Sequence, residues 1–193
     1  DECMFFGPTL LELGKEEYEN RMHVLCLSIG NESGLGKIRK KELEASCTSL
    51  GIDVKFVRSL DHPELQDGPK NGWNPVLISS IIEEYVEKHG IDVVITFDDK
   101  GISGHPNHSA AYNENTSYEP NFHDKINKKN EEIIEKEENL LNLPNSLLFV
   151  STLQQFIRSR KSMKCHKSQL VWFRYLYIFF SRYMVINHLE KVE

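Results

Sequence analysis

Short apolar runs alternate with longer helical stretches over the first two thirds of the chain, and this alternation is the strongest constraint on its fold. Residues 23–29, 54–57 and 92–97 are rich in β-branched and aliphatic side chains, as buried strands are. Helical stretches lie between them at residues 37–50 and from about Pro75 to His89, and a glycine follows each one. This order predicts an α/β fold with a mainly parallel sheet covered by helices.

The last third of the chain has a different character. Residues 113–142 are rich in Asn, Glu and Lys, which predicts a solvated loop or an exposed helix. Residues 147–150 form a candidate last strand, and residues 169–189 are dominated by aromatic and aliphatic side chains that predict a C-terminal helix. A length of 193 residues suits one domain that spans residues 1–193.

Charge and cysteine usage exclude several classes of protein. The net charge of −6, from 23 Lys and Arg against 29 Asp and Glu, disfavours a general nucleic-acid-binding surface. The 4 cysteines contain no C-x-x-C pair, which favours free thiols in a reducing compartment over disulfides or a zinc ribbon. No uncharged apolar run approaches the roughly 20 residues that a membrane-spanning helix needs.

The sequence HPNH at residues 105–108 is the first candidate site. It follows the predicted strand at 92–97, and the carboxyl ends of parallel strands face the ligand crevice in such folds. Two histidines three positions apart at the start of a helix lie on one face, where one can ligate a metal and the other can hydrogen-bond the reacting group. A metal needs a further ligand, and spacing alone leaves Asp98, Asp99 and Asp1 as alternatives.

A glycine loop and an arginine mark a second region. The loop at residues 30–36 (GNESGLG) matches neither G-x-G-x-x-G nor a Walker loop, so a nucleotide-binding protein is disfavoured. Arg39 and Glu42 follow at a spacing of three in the next predicted helix. They are compatible with a surface ion pair or, for the arginine, with a role facing the substrate.

The aromatic segment leaves two interpretations open. If residues 169–189 form one helix, Arg174, Ser181 and His188 recur every seven residues as a narrow polar stripe. The helix could pack on the sheet with that stripe facing water. Alternatively, its Trp and Tyr side chains would lie at the headgroup level of a membrane, with Arg174 and Arg182 meeting lipid phosphates.

Four blocks of sequence together resemble one family. The blocks are DECMFFGPT (1–9); VLCLSIGN (24–31) with Gly34, Gly36, Arg39, KEL (41–43) and LGI (50–52); TFD (96–98) with GISGHPNH (101–108); and CHKSQL (165–170) with WFR (172–174) and FSRYM (180–184). On these blocks the chain is similar to the GlcNAc-phosphatidylinositol de-N-acetylases of GPI-anchor synthesis, a branch of the LmbE-like zinc deacetylases. The similarity covers nearly everything except residues 113–142.

The resemblance implies a Rossmann-like three-layer fold and a particular site. The family's first motif, His-Pro-Asp-Asp-Glu, supplies two metal ligands and the general base, and only its Asp-Glu tail is present here. Asp1 would be a metal ligand. The ligating histidine and the general base would lie upstream of this chain, whose deacetylase domain would lack its first strand. His108 would be the third ligand, and His105 would stabilise the oxyanion or protonate the leaving amine. Arg39 and Asp67 resemble residues that contact sugar hydroxyls.

The resemblance also implies an activity and a location. The expected reaction removes the N-acetyl group of GlcNAc-phosphatidylinositol with a zinc cofactor, at the cytoplasmic face of the endoplasmic reticulum membrane. The alternative is a catalytically inactive relative of the same fold that binds a glycolipid or a membrane partner. For the 193 residues as given we expect no deacetylase activity, because one metal ligand and the base would be missing.

Overall fold

The computed structural model describes residues 1–68, 72–116 and 144–192. The chain divides into two compact units. Unit 1 is formed by Asp1–Asp67 with Ser146–Glu190, and unit 2 by Gly68–Asn145 with Lys191–Glu193. Helices together with parallel and antiparallel strand pairs make the chain an α/β protein, as predicted. Of the predicted polar segment, residues 117–142 lie outside the described part of the chain.

Unit 1 begins with two short helices, α1 (Glu2–Phe5) and α2 (Gly7–Leu13), followed by a 3-10 turn at Glu16–Tyr18. The apolar side of these helices joins a core cluster made of Cys3, Leu11, Leu50, Met163, Ile178 and Met184. Burying a large apolar side chain contributes roughly 1.5 to 3 kcal/mol relative to exposure. Cys3 and Leu11 are therefore part of the packed core of this unit.

A strand–helix–strand segment follows, made of β1 (Val24–Cys26), α3 (Gly36–Leu50) and β2 (Val57–Ser59). The two strands pair in parallel, as the alternation predicts. Helix α3 confirms the prediction for residues 37–50, and it ends because Gly51 adopts a left-handed φ of 93°. Leu43, Cys47 and Ile52 form the core that packs against the strands. Strand β2 begins at the last residue of the predicted strand 54–57, after a 3-10 turn.

Unit 2 contains the helices α4 (Pro75–His89), α5 (Gly101–Gly104) and α6 (Pro106–Thr116). Helix α4 has the predicted bounds because its end signals are local. Pro75 occupies the first turn, where no backbone N–H is needed, and Gly90 ends the helix with a φ of 61°.

The predicted strand at residues 92–97 is not a strand in the structure. Within the described residues this segment pairs with no other strand, and Val93, Val94 and Ile95 are 50%, 44% and 39% exposed. Composition identifies a segment suited to a sheet, but a strand also needs a partner for its backbone N–H and C=O groups. The described residues therefore hold one parallel and one antiparallel strand pair in place of a continuous parallel sheet.

The C-terminal part of unit 1 consists of β3 (Ser146–Val150), α7 (Leu153–Met163), a 3-10 turn at Lys167–Gln169, α8 (Trp172–Phe180), a 3-10 turn at Arg182–Met184 and β4 (Ile186–Glu190). Strand β3 confirms the predicted last strand and pairs with β4 in antiparallel register. A capping box between Thr152 and Gln155 starts α7. The four cysteines are free, as predicted.

The predicted helix over residues 169–189 is too long. Helix α8 ends at Phe180 because Ser181 has an extended backbone, with φ −74° and ψ 129°, and its hydroxyl accepts a hydrogen bond from the N–H of Tyr183. The residues from Ile186 onward then pair with β3. The polar stripe predicted at every seventh residue therefore does not exist as one helix face. None of the helices that the structure describes is long and apolar enough to cross a membrane.

Candidate active site

The two histidines of the HPNH sequence lie side by side at the start of α6 in unit 2. The rings of His105 and His108 have centroids 4.9 Å apart. The His108 ring stacks on Phe97 at 4.0 Å with an interplanar angle of 2°. Its Nδ1 atom lies 3.2 Å from the carbonyl oxygen of Gly101. The structure thus confirms that the pair shares one location, and it fixes the orientation of the second ring.

The backbone before the histidines is shaped by a glycine. Gly101 has a φ of 60°, and a Cβ atom added there would lie 2.7 Å from the Cβ of His108. Ile102 also has a positive φ of 61°, which is rare for a β-branched residue, and its N–H donates to Asp98 Oδ1 at 2.7 Å. This turn brings the Gly101 carbonyl to the imidazole of His108.

The geometry of His108 fits a metal ligand. A carbonyl oxygen can only accept, so the proton is on Nδ1 and the lone pair is on Nε2. Histidines that bind metals commonly donate their second ring N–H to a backbone carbonyl in this way, which sets the tautomer and the ring orientation. His105 differs, because its Nδ1 accepts a hydrogen bond from the N–H of Asn107 at 3.3 Å. The two rings are thus held in different hydrogen-bonding states.

The residues predicted to contact sugar hydroxyls come together in unit 1. The Nη1 atom of Arg39 donates to the carbonyl oxygen of Gly30 at 2.6 Å and lies 3.8 Å from Asp67 Oδ2. Both side chains are partly buried, at 19% and 27% exposure. Gly30 has a φ of 68°, and a Cβ there would lie 3.1 Å from Arg39 Cδ. The glycine allows the arginine to cross directly over the loop.

The glycine loop itself is closed by its own side chains. Asn31 Oδ1 accepts a hydrogen bond from the N–H of Gly36 at 2.9 Å, at the start of α3. A phosphate-binding loop keeps such backbone N–H groups for its ligand. The contact supports the sequence-based argument against nucleotide binding here.

Asp1 is an exposed residue at the N-terminal end of α1, in the same unit as Arg39 and Asp67. The neighbouring Glu2 is buried, and its carboxylate is surrounded by donors. His166 Nε2 lies 2.7 Å from Glu2 Oε1, and the hydroxyl of Ser46 donates to the same oxygen. The residue next to the candidate ligand is therefore fixed by buried hydrogen bonds.

The pKa of the Glu2 carboxyl is held well below its ordinary value. Burial alone would raise it, but the hydrogen bonds from His166 and Ser46 favour the ionised form. Ser46 extends the network, because its hydroxyl lies 2.6 Å from that of Ser162. Glu2 thus links α1, α3, α7 and the turn after α7.

Glu2, Cys3 and His166 bring three possible metal-ligand atoms within 4.8 Å of one another. We interpret this group as a hydrogen-bonded cluster, because all three residues are buried and a catalytic metal needs an open coordination position. Burial also raises the pKa of the Cys3 thiol, which favours the protonated form that does not bind metals. Sequence reasoning missed a role for Glu2 and His166, although both lie in blocks that resemble the family.

The α/β elements and the neighbouring rings of His105 and His108 are compatible with a metal-dependent hydrolase. A family model described as PIG-L, GlcNAc-PI de-N-acetylase, matches residues 1–118. The chain belongs to this family of metal-dependent deacetylases.

Curated relatives match nearly the whole chain. The N-acetylglucosaminyl-phosphatidylinositol de-N-acetylase of Bos taurus is 38% identical over 201 residues, which cover 98% of this chain and 79% of the relative. A protein of Schizosaccharomyces pombe named "Probable N-acetylglucosaminyl-phosphatidylinositol de-N-acetylase" is 37% identical over 99% of this chain and 82% of its own length. The N-acetylglucosaminyl-phosphatidylinositol de-N-acetylase of Saccharomyces cerevisiae is 29% identical, over 98% of this chain and 77% of its own length.

Proposed function

We propose that this protein hydrolyses the N-acetyl amide of GlcNAc-phosphatidylinositol in GPI-anchor biosynthesis, with water giving the free amine and acetate. Family membership and the names of the relatives support the reaction and the substrate. The observation that carries the proposal is the hydrogen bond from His108 to the Gly101 carbonyl, because it gives the second histidine of HPNH the tautomer of a metal ligand.

His108 in unit 2 would hold a divalent metal, and zinc suits its imidazole. Asp1 in unit 1 stays the carboxylate ligand that the family resemblance implies. When bound, such a metal lowers the pKa of its water to about 7 and polarises the amide carbonyl. His105 is the candidate proton donor next to the metal, since its ring lies beside that of His108. With Nδ1 accepting from Asn107, the Nε2–H of His105 would donate to the developing oxyanion or to the leaving amine.

Arg39 and Asp67 would orient the sugar. The arginine supplies several N–H donors and the carboxylate supplies acceptors, which is the combination that recognises vicinal hydroxyl groups. Their 3.8 Å separation keeps both groups at one place in unit 1. For the fold, we propose the LmbE-like, Rossmann-like three-layer arrangement, which the parallel pairing of β1 and β2 across α3 supports.

The exposed aromatic face of α8 supports action at a membrane. Trp172 is 75% exposed and Phe180 is 82% exposed, and Ile178 is the buried residue of this helix. We propose that this face lies on the phospholipid surface of the endoplasmic reticulum, on its cytoplasmic side, with Arg182 near lipid phosphates. The acyl chains of the proposed substrate are held in a bilayer, so contact with that bilayer brings the enzyme to its substrate.

The test is deacetylation of GlcNAc-phosphatidylinositol by the protein expressed from its native gene, measured as release of acetate. We expect activity that is lost on treatment with a chelator and restored by zinc. If the native protein binds the glycolipid and retains metal but releases no acetate, the inactive binding relative is the correct interpretation.

A further inference from the structure

A groove beside α8 is not used by the chemistry described above. It is open, has a volume of about 430 Å³ and lies between α1 and α8 in unit 1. Its lining is mostly apolar and includes Met4, Phe173, Leu176, Tyr177 and Phe180, with Arg174 as the charged residue. An apolar groove with one cation suits a ligand that is apolar along its length and carries one anionic group.

The groove is anchored to α1, the helix that Asp1 precedes. The hydroxyl of Tyr177 donates to the carbonyl oxygen of Met4 at 2.9 Å, which ties α8 to α1. Phe5 packs edge-to-face on Tyr177, with ring centroids 6.2 Å apart. These contacts fix the groove relative to the candidate ligand Asp1 in the same unit.

Arg174 is a cation without an acidic partner in the part of the chain that the structure describes. Its Nη1 atom lies 3.5 Å from the neutral side chain of Gln169. Burial, and after it the positive charge of nearby Arg39, lower the pKa of Arg174 from its ordinary value. The charge of Arg174 would stabilise an anion bound beside it, and the planar fork of arginine suits phosphate oxygens.

We propose that Arg174 binds the phosphodiester of GlcNAc-phosphatidylinositol and that the groove lined by Leu176 and Phe180 holds the glycerol and the start of an acyl chain. The inference rests on the proposed function, because it assigns a place to the lipid half of that substrate. Each part of the substrate would then have its own group of residues in unit 1. Arg39 with Asp67 lies at the sugar, Arg174 at the phosphate and the apolar groove at the lipid.

The experiment compares two substrates with the protein expressed from its native gene. One is dioctanoyl GlcNAc-phosphatidylinositol below its micelle concentration, and the other is GlcNAc-inositol, which has neither phosphate nor lipid. Arg174→Gln should raise the KM for the first substrate about 10- to 100-fold, as expected for loss of a charged hydrogen bond, and change its kcat little. The kcat/KM for GlcNAc-inositol should stay unchanged, and Arg174→Lys should recover part of the loss.

The control is Arg58→Gln, which removes the same charge from an exposed position on β2. It should leave both substrates unaffected. Leu176→Ser tests the apolar groove. Dioctanoyl substrate should bind more tightly than dihexanoyl substrate to the unaltered protein, and this difference in affinity should be smaller in the variant. An equal effect of Arg174→Gln on both substrates, or none on either, would overturn the proposal.

Failure of the proposed function is recognised separately. If the unaltered protein deacetylates neither substrate, binding of dihexanoyl phosphatidylinositol is measured by calorimetry. Binding that becomes about 10-fold weaker in Arg174→Gln would support the phosphate subsite without the reaction. Equal binding by the two forms, or none by the unaltered protein, would overturn the subsite as well.

Discussion

The Nε2 atom of His166 lies 2.7 Å from the Oε1 atom of Glu2, and this contact joins buried residues from the two ends of the chain. The carboxylate stays ionised because its donors compensate for the loss of water. The contact fixes the start of α1, which carries Asp1, against the turn that follows α7.

Replacing His166 by Ala should strongly destabilise unit 1. The change leaves the buried carboxylate of Glu2 without its closest ring donor, and breaking a buried pair of this kind costs about 3 to 5 kcal/mol. The free energy of unfolding in urea measures the loss. His188→Ala is the matched control, because His188 is 52% exposed and 3.8 Å from Glu190, so its loss should be within about 0.5 kcal/mol. Equal small losses in both variants would contradict the assigned role of Glu2 and His166.

Substitutions of the two histidines of HPNH should have different effects on bound metal. His108→Ala removes the ring that donates to Gly101 and should abolish metal retention, whereas His105→Ala should leave metal bound and lower the catalytic rate. Metal content after dialysis and acetate release are measured on the same samples. His89→Ala, an exposed histidine at the end of α4, should change neither quantity. Equal metal loss in both site variants would show that the two roles are assigned wrongly.

Arg39→Lys should lower kcat/KM for the glycolipid about 10- to 100-fold, because lysine keeps the charge but loses the rigid fork that contacts Gly30 and faces Asp67. The steady-state constants measure the effect, and the urea midpoint checks that the fold is intact. Lys40→Ala, at the next position of α3 and exposed, should behave as the unaltered protein. An unchanged kcat/KM in Arg39→Lys would remove Arg39 from the sugar subsite.

Tyr177 should ionise at a higher pH than a free tyrosine. Burial raises its pKa to about 12, and its hydroxyl donates to the Met4 carbonyl. A raised pKa for this acid means that the neutral phenol stabilises the folded state below the ordinary value of about 10, and that this contribution is lost as pH rises from about 10 through about 12. Absorbance titration of the 7 tyrosines should show a late phase that Tyr177→Phe removes. A late phase that persists in Tyr177→Phe would belong to another tyrosine.

Local signals were sufficient for helices α3 and α4 but not for the sheet. Helix α4 was predicted to the residue because a proline at its start and Gly90 at its end act within a few positions. The predicted strand at residues 92–97 is wrong, because strand pairing depends on a partner distant in sequence, which residue propensity does not identify. The long C-terminal helix failed for a related reason, since the pairing of β4 with β3 outweighs the aromatic pattern of residues 169–189.

The same distinction applies to the candidate site. The pair His105 and His108 could be found from spacing alone, since one turn of helix places both rings together. Arg39 and Asp67 required a resemblance to the family, because no periodicity connects them. Glu2 and His166 were assigned no role, since residues so far apart in sequence are brought together only by the packing of α1 against α7.

The aromatic face of α8 should bind membranes without being needed for the fold. Trp172 and Phe173 are 75% and 53% exposed, so replacing both by Ser removes little buried area. We expect the double variant to bind phospholipid vesicles more weakly than the unaltered protein, because these side chains would sit at the headgroup level. Cosedimentation with phosphatidylcholine vesicles containing phosphatidylinositol measures the binding, and the urea midpoint measures the fold.

A matched pair of substitutions distinguishes this surface from the core. Ile178→Ser, at the buried position of the same helix, should destabilise unit 1 by several kcal/mol, as burial of a polar group in a cavity does. The Trp172 and Phe173 variant should instead keep its urea midpoint and lose vesicle binding. If that variant is insoluble like a core variant, α8 is packing structure. If it stays folded and binds vesicles as before, the membrane contact lies elsewhere on the protein.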